Sequence, residues 1–193
     1  MQRDVIMAGF GGQGILLIGK MLAYAGMREG KEVSWLPSYG PEMRGGTAYC
    51  MVIMSDRPIG SPIVKNPQHL VAMNRPSLEK FAPVVKPGGV VLINSTLIPV
   101  RAGRDDVDEL AIPVNDLALE AGSVRSANVV ALAAFAAAMA VVPLLGRVVV
   151  GSRDKKPPVI VPAVLCPHQI YHRLAAPPSP LRLAARLPGL WLP

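Results

Sequence analysis

The sequence predicts an α/β protein, with a three-layer α/β/α architecture built on a mostly parallel sheet. Short apolar runs typical of buried strands alternate with stretches of helical periodicity over residues 1–143. The first unit joins an apolar run at residues 5–8, a glycine-rich turn and a helical pattern at residues 15–28, which is Rossmann-like. Hydrophobic residues make up 51% of the chain and aromatic residues only 5%, as expected for an aliphatic core.

The glycine-rich turn at residues 9–14 is the first candidate binding element. Glycines allow the backbone to approach a ligand closely, and the start of a helix offers unpaired N–H groups with a partial positive charge. The turn is therefore suited to an anion. The candidate residues are Gly9, Gly11, Gly12, Gln13 and Gly14.

The same spacing satisfies the dinucleotide fingerprint G-x-G-x-x-G, so a free-standing dinucleotide-binding oxidoreductase is an alternative. That fingerprint requires an acidic residue at the end of the second strand, about 20 residues further on. Here the only carboxylate of that strand, Glu32, stands at its start. A phosphate-binding P-loop is excluded because no Gly-Lys-Ser/Thr follows the glycines. A turn that binds nothing also remains open.

A polar loop at residues 37–46 is the second candidate element. It carries Tyr39, Glu42, Arg44 and Gly45, and it is longer than most connections between strands. A guanidinium beside glycines is suited to a carboxylate or a phosphate. The alternative is that Glu42 and Arg44 pair with each other or with the surface of the domain. We expect this loop and the glycine turn to meet at one edge of the sheet.

The first elements follow from apolar spacing and turn residues. The first strand is predicted at residues 4–8, and the first helix at residues 13–29, with one apolar face. Gly30 ends that helix, and the second and third strands are predicted at residues 31–36 and 47–55.

The later elements are predicted in the same way. Strand four at residues 69–73 leads into a helix at residues 76–85, which has a proline in its first turn. Strand five at residues 90–94 follows a Pro-Gly-Gly turn and ends on Asn94, where α/β sheets place ligands. Asn94 is therefore a candidate binding residue.

The last elements of this region are a strand at residues 109–114, a helix at residues 115–121 and a long apolar helix after Ser126. Asn128, in the first turn of that helix, is expected to hold the helix start against a neighbouring loop. The apolar run at residues 129–145 is rich in alanine and contains Pro143, which favours a core helix over a membrane span.

The two cysteines, Cys50 and Cys166, are far apart in the sequence and form no Cys-x-x-Cys pair. The chain alone therefore cannot ligate an iron–sulfur cluster or build an ordinary zinc site, and no metal site is expected. Cys50 is predicted to be an inert buried thiol in the third strand. A reduced, cytoplasmic setting is the expectation.

The net charge of +7 is unevenly distributed. Residues 1–143 carry 13 Lys and Arg against 12 Asp and Glu, whereas residues 144–193 carry 7 against 1. Ten of the 20 prolines lie in residues 143–193, so this part is expected to be an irregular Pro/Arg-rich tail following one domain at residues 1–143. A basic patch for nucleic acid is not expected on the domain itself.

Several stretches match one family at corresponding places. The glycine turn resembles its Gly-Gly-Gln-Gly motif, and residues 38–46 resemble its second signature. Further matches are residues 59–62, 72–74 and 87–89. The chain is similar to the gamma subunit of 2-oxoacid:ferredoxin oxidoreductases, the pyruvate/ketoisovalerate oxidoreductase catalytic domain family, and most similar to the 2-oxoglutarate type.

The resemblance implies a non-autonomous subunit with no catalytic residue of its own. In such enzymes a 2-oxoacid is decarboxylated on thiamine diphosphate, electrons pass through iron–sulfur clusters to ferredoxin, and coenzyme A takes the acyl group. The thiamine and the clusters are implied on alpha, beta and ferredoxin-like delta subunits, so this chain alone would bind no cofactor. The two candidate elements are then assigned to binding or assembly.

Overall fold

The computed structural model describes residues 1–40, 45–139, 149–150 and 159–160. The strands in these ranges are β1 (Gln2–Phe10), β2 (Glu32–Tyr39), β3 (Thr47–Ser55), β4 (His69–Ala72), β5 (Val90–Asn94), β6 (Asp108–Ile112), β7 (Val149–Val150) and β8 (Val159–Ile160). The helices are α1 (Ile15–Arg28), α2 (Arg75–Phe81), α3 (Val114–Glu120) and α4 (Ala127–Met139). Short 3₁₀ turns at Ala82–Val84 and Val124–Ser126 complete the described elements.

Six strands form one sheet in the order β2-β3-β1-β4-β5-β6. The pairs β1–β4, β4–β5 and β5–β6 are parallel. Strand β3 runs antiparallel to both of its neighbours, β1 and β2, so β2 points in the same direction as β1. Five of the six strands therefore share one direction, which confirms the predicted mostly parallel sheet.

Strand β3 lies between the two strands of the first βαβ unit. Its nine residues pair with β1 from end to end, with Gln2 opposite Ser55 and Phe10 opposite Thr47. This long pairing extends β1 beyond the predicted residues 4–8. On its other side β3 forms a hairpin with β2, and the loop of that hairpin is the second candidate element.

The sheet is buried between two helical layers, which confirms the three-layer architecture. Alternate β1 residues face opposite layers, as strand geometry requires. Val5 and Met7 pack with the core that includes residues of α1 and α4, and Ile6 and Ala8 pack with the core that includes residues of α2. Burial on both faces explains why the central strands read as continuous apolar runs.

Two glycines set the orientation of α1 on the sheet. A Cβ atom at Gly19 would overlap the sulfur of Cys50, and one at Gly26 would lie 3.0 Å from the sulfur of Met54. Both glycines are buried and face β3. The helix therefore lies close to the sheet, and the side opposite these glycines faces outward.

The helix ends differ from the predicted ones for local reasons. Helix α1 begins at Ile15 and not at residue 13, because Gly14 has a left-handed φ of 74°. The predicted helix at residues 76–85 is observed as α2 followed by a 3₁₀ turn that contains Pro83. Because proline cannot donate a backbone hydrogen bond, it favours this change of helix type.

Helix α4 is a core helix over its described length. Ala131, Leu132, Phe135 and Ala136 are buried, as predicted, while residues 140–145 of the apolar run lie outside the described residues. Within the described ranges, no helix combines the length and the apolar character needed to cross a membrane.

The predicted irregular tail at residues 144–193 falls almost entirely outside the described residues. The exception is the pair β7 and β8, two residues each, which run antiparallel. The division into a domain at residues 1–143 and a tail stays a prediction.

Candidate functional site

The candidate site is built on the turn between β1 and α1, at the carboxyl end of the parallel strands. Gly12 and Gly14 have φ values of 99° and 74°, a conformation that side chains other than glycine rarely adopt. The N–H of Gln13 donates to the carbonyl of Phe10 at 3.1 Å and closes the turn. The backbone thus reverses within four residues and enters the helix directly.

The side chain of Gln13 is engaged in holding the turn. Its Oε1 accepts a hydrogen bond from the Phe10 N–H at 2.7 Å, and its Nε2 donates to the carbonyl of Met73 at 3.3 Å. These bonds tie the end of β1 to the end of β4. A Cβ atom at Gly9 would lie 2.5 Å from Gln13 Oε1, so Gly9 makes room for this amide. Gly9 and Gln13 thus shape the turn.

Gly14 is held by the helix on its other side. Asn128 Nδ2 donates to the Gly14 carbonyl at 3.3 Å, and Asn128 Oδ1 accepts from the N–H of Val129 at 2.9 Å. The predicted role of Asn128 is confirmed, since it fixes the start of α4 against the turn before α1. A Cβ atom at Gly14 would overlap this amide.

The glycine turn and the loop after β2 meet, as the sequence predicted. The N–H of Gly11 donates to the carbonyl of Gly46 at 2.8 Å, and the N–H of Gly45 donates to the carbonyl of Gly11 at 3.3 Å. Tyr39, the last residue of β2, is 62% exposed beside them. Two further predicted site residues, Glu42 and Arg44, lie outside the described residues.

A pocket of about 410 Å³ opens where these two segments meet. Its lining contains no carboxylate, imidazole, amine or thiol, so the described part of the pocket can bind a group but offers no strong acid or base. The lining residues are Phe10, Gly11, Gly12, Gly14, Ile15, Leu16, Leu17, Tyr39 and Ala48.

Several backbone donors at this pocket are unengaged. Within residues 1–40 and 45–139, no group accepts a hydrogen bond from the N–H of Gly12 or Gly14, nor from those of the first three helical residues. The first turn of α1 carries no acidic side chain that could neutralise them. Together with the helix dipole, these amides favour an anionic group. The sequence indicated the turn, but the apolar wall from Phe10, Leu17 and Ala48 was not predicted.

The structure does not support the dinucleotide fingerprint. Because β3 separates β2 from β1, the end of β2 lies two strand spacings, about 10 Å, from the end of β1. Glu32 pairs with Ser55 at the other end of these strands, away from the glycine turn. Among the described residues, no carboxylate is therefore placed to bind a ribose as that fingerprint requires.

Asn94 is not brought into the pocket. It ends β5, two strands away from β1, and is fully buried. Its Nδ2 donates to Asn115 Oδ1 at 2.9 Å, which joins β5 to α3. Asn94 shares the carboxyl edge of the sheet with the glycine turn, but its contacts are internal.

Cys50 is the buried thiol that the sequence predicted. Burial raises its pKa from the ordinary value of 9.0 to about 12, and its sulfur lies 3.6 Å from the carbonyl of Ile15, to which it donates. His69, at the start of β4, is partly buried, and this burial lowers the pKa of its imidazole. No cluster of three or more His, Cys, Asp or Glu side chains suited to a metal occurs in the described part of the chain.

Comparison with known proteins identifies the family. The family model described as "Pyruvate ferredoxin/flavodoxin oxidoreductase" matches residues 4–151. The chain is 46% identical over 128 residues to ketoisovalerate oxidoreductase subunit VorA of Methanothermobacter thermautotrophicus, covering 66% of this chain and 26% of that protein. This chain therefore spans about a quarter of the length of that relative.

Two solved structures share the fold. The keto/oxoacid ferredoxin oxidoreductase gamma subunit of Geobacter sulfurreducens matches with a TM-score of 0.62 and 31% identity, covering 72% of this chain and 79% of that one. A 2-oxoglutarate:ferredoxin oxidoreductase of Magnetococcus marinus, solved with 2-oxoglutarate, coenzyme A and succinyl-CoA bound, matches with a TM-score of 0.64 and 28% identity. The match covers 71% of this chain and 24% of that one. Because the family model spans more than half of its residues, the chain belongs to the pyruvate ferredoxin/flavodoxin oxidoreductase family.

Proposed function

We propose that this chain is the gamma-type subunit of a multi-subunit 2-oxoacid:ferredoxin oxidoreductase. The complex would carry out the coenzyme A-dependent oxidative decarboxylation of a 2-oxoacid such as 2-oxoglutarate, with ferredoxin as electron acceptor. The chain would not be catalytic alone. It would act in the cytoplasm together with alpha, beta and ferredoxin-like delta subunits.

The observation that carries this proposal is the pocket between the glycine turn and Tyr39. Among the described residues, it combines backbone donors that have no acceptor with an apolar wall, and its lining has no strong acid or base. These features are typical of a binding site. A subunit that contributes a binding surface to a larger assembly needs no catalytic acid or base of its own. The gamma subunit from Geobacter sulfurreducens, which is a separate chain of similar extent, supports the same assignment.

The pocket fits part of a coenzyme A molecule. Amides at the start of α1 are suited to a phosphate oxygen, and the exposed ring of Tyr39 offers a flat apolar contact. When bound, coenzyme A supplies the thiol that accepts the acyl group. The Magnetococcus marinus structure contains coenzyme A and succinyl-CoA, which supports this ligand class.

The other cofactors are assigned to other subunits. The whole sequence has two cysteines, fewer than the four thiolates that hold a typical iron–sulfur cluster, and Cys50 is buried beneath α1. The clusters would therefore reside on other chains, and the family resemblance implies the same for thiamine diphosphate, with the alpha, beta and delta chains as the carriers. The role of this chain would be to bind and orient coenzyme A.

Purification of the native complex tests the assignment. A tagged copy of this chain, expressed in its own organism, is expected to co-purify with chains that carry thiamine diphosphate and iron–sulfur clusters. The purified complex is expected to reduce ferredoxin in the presence of 2-oxoglutarate and coenzyme A. A chain that purifies free of such partners, or that oxidises a substrate by itself, contradicts the proposal.

The pocket is tested by two substitutions at Tyr39. If the ring contacts coenzyme A, Tyr39→Ala is expected to raise the KM for coenzyme A about two- to tenfold, because an aromatic contact contributes about 0.5–1.5 kcal/mol. Tyr39→Phe keeps the ring and is expected to change the KM by less than twofold. An equal rise in KM in both variants would assign the contact to the hydroxyl and not to the ring, and an unchanged KM in Tyr39→Ala would remove Tyr39 from the site.

A further inference from the structure

We infer that the outward side of α1 and the free edge of β2 together form a docking face for a larger, separate subunit whose matching surface is apolar and acidic. This inference rests on the proposed function and specifies which surface of the chain serves assembly. The docking face is defined by Leu17, Lys20, Tyr24 and Met27 on α1 and by residues 33–39 of β2.

The outward side of α1 exposes large apolar side chains in a row. Leu17, Tyr24 and Met27 are 54%, 56% and 59% exposed, although each is large enough to be a core residue. Their spacing of seven and three places them on one side of the helix, over a length of about 15 Å. The helix cannot rotate to bury them, because its glycines face the sheet at close contact.

The charges on this side of α1 have one sign. The helix contains no Asp or Glu, and its charged side chains, Lys20 and Arg28, are both exposed. Lys20 Nζ lies 5.7 Å from the centroid of the Tyr24 ring, so the cation stands within the apolar row. A partner surface that buries this row must also neutralise Lys20, which requires a carboxylate.

Strand β2 provides the second half of the docking face. Among the described strands it pairs with β3 alone and forms one end of the sheet, so its outer backbone groups have no strand partner there. Residues 33–39 contain no charged side chain, and Pro37 is the one residue that cannot donate. Sheet edges that stay in solvent are normally protected by charges or by several prolines, which this edge lacks.

The relatives indicate what covers the docking face. The stretch that matches this chain makes up 26% of ketoisovalerate oxidoreductase subunit VorA and 24% of the Magnetococcus marinus chain. In those proteins the matching stretch is therefore part of a much longer polypeptide. Where this chain is separate, a separate subunit corresponding to the remainder is the partner that the docking face fits.

The docking face can be tested apart from the coenzyme A pocket. Leu17 and Tyr39 belong to both, but Tyr24 and Met27 do not line the pocket. A pair of exposed apolar residues elsewhere provides a matched control: Leu119 in α3 and Val124 in the following 3₁₀ turn, 64% and 48% exposed.

The decisive experiment compares two double variants of the tagged full chain in the native complex. Tyr24→Glu/Met27→Glu adds two carboxylates to the docking face and is expected to lower the amount of thiamine-bearing subunit recovered at least tenfold. Leu119→Glu/Val124→Glu is expected to change that recovery by less than twofold. Thermal unfolding of both purified variants shows whether either substitution disturbs the fold.

Hydrogen exchange provides an independent measurement on the unsubstituted chain. Within residues 33–39, the amides that point away from β3 are expected to exchange at least tenfold more slowly in the complex than in the isolated full chain. Slow exchange of these outward amides already in the isolated chain, or a concentration-dependent dimer that the Glu substitutions abolish, overturns the inference. So does full recovery of the partner by Tyr24→Glu/Met27→Glu. Failure of the unsubstituted chain to recover any such partner contradicts the proposed function instead.

Discussion

At the scale of single residues, Cys50 shows how packing changes the pKa of a thiol. Helix α1 covers its sulfur completely, and burial in this apolar environment raises the pKa of the thiol from 9.0 to about 12. The unfolded chain therefore loses this proton at lower pH than the native protein does. It follows that the contribution of Cys50 to stability is complete below pH 9 and is lost as the pH rises towards 12.

This pH dependence can be measured against a variant without the thiol. Between pH 8 and pH 10 the free energy of unfolding of the unsubstituted protein is expected to fall about 1 kcal/mol more than that of Cys50→Ala. Urea unfolding at both pH values, under reducing conditions, provides the four free energies. Cys166 is common to both proteins and cancels in the comparison. Equal decreases in the two proteins would show that Cys50 ionises as readily in the native state.

Gln13 marks the limit of residue-level prediction. The spacing of the glycines predicts a turn suited to an anion, and the unengaged amides agree with that prediction. The pattern cannot show that the Gln13 amide is engaged by the Phe10 N–H and the Met73 carbonyl, because Met73 lies 60 positions away. Local sequence reports backbone conformation, whereas the partners of a side chain depend on tertiary structure.

At the scale of elements, β3 was predicted with the correct bounds but without its position in the sheet. Its apolar run at residues 47–55 identifies a strand, yet the same run fits either side of β1. The hairpin with β2 and the full-length pairing with β1 determine the order that is observed. Strand order depends on contacts between distant residues, which periodicity along the chain does not encode.

The contact between α1 and α4 provides a prediction at the same scale. Gly14→Ala is expected to destabilise the protein for two reasons: a left-handed backbone costs about 1–2 kcal/mol for a residue with a Cβ atom, and the new methyl group overlaps Asn128. In an Asn128→Ala background the overlap disappears, and only the backbone cost should remain. A double-mutant cycle by urea unfolding measures the difference.

The cycle also has a clear negative outcome. If Gly14→Ala costs the same free energy in both backgrounds, the two residues are not coupled. The overlap between a Cβ atom at position 14 and the Asn128 amide would then contribute nothing to the cost of the substitution.

At the scale of the whole molecule, both candidate elements were predicted to meet at one sheet edge, and the described residues confirm it. Parallel strands end at a common edge, so a turn after β1 and a loop after β2 lie at the same edge whatever the strand order. Their contact depends on β3, which pairs with both strands and brings Gly45 and Gly46 to Gly11. The docking face was not foreseen, because exposure of an apolar helix residue is known only once the opposite side of the helix has been placed.

Arg44 lies outside the described residues, and its role in binding an anion stays a prediction. The segment that contains it is fixed at both ends: the N–H of Gly40 donates to the carbonyl of Thr47 at 3.1 Å, and the N–H of Gly45 to that of Gly11 at 3.3 Å. A guanidinium in this segment is suited to an anion, as the sequence predicts. Arg44→Ala is therefore expected to raise the KM of the complex for coenzyme A about tenfold, since a charge-assisted hydrogen bond contributes about 1.5–3 kcal/mol.

The test of Arg44 needs a control for charge and a measure of folding. Arg57→Ala removes an exposed arginine just beyond β3, at the end of the sheet away from the glycine turn. This variant is expected to leave the KM unchanged. Arg44→Lys retains the charge without the forked geometry, so an intermediate KM is expected. Thermal unfolding of the complex should be the same for all three variants. A loss of thermal stability that accounts for the loss of activity in Arg44→Ala would make this residue structural, with no part in binding coenzyme A.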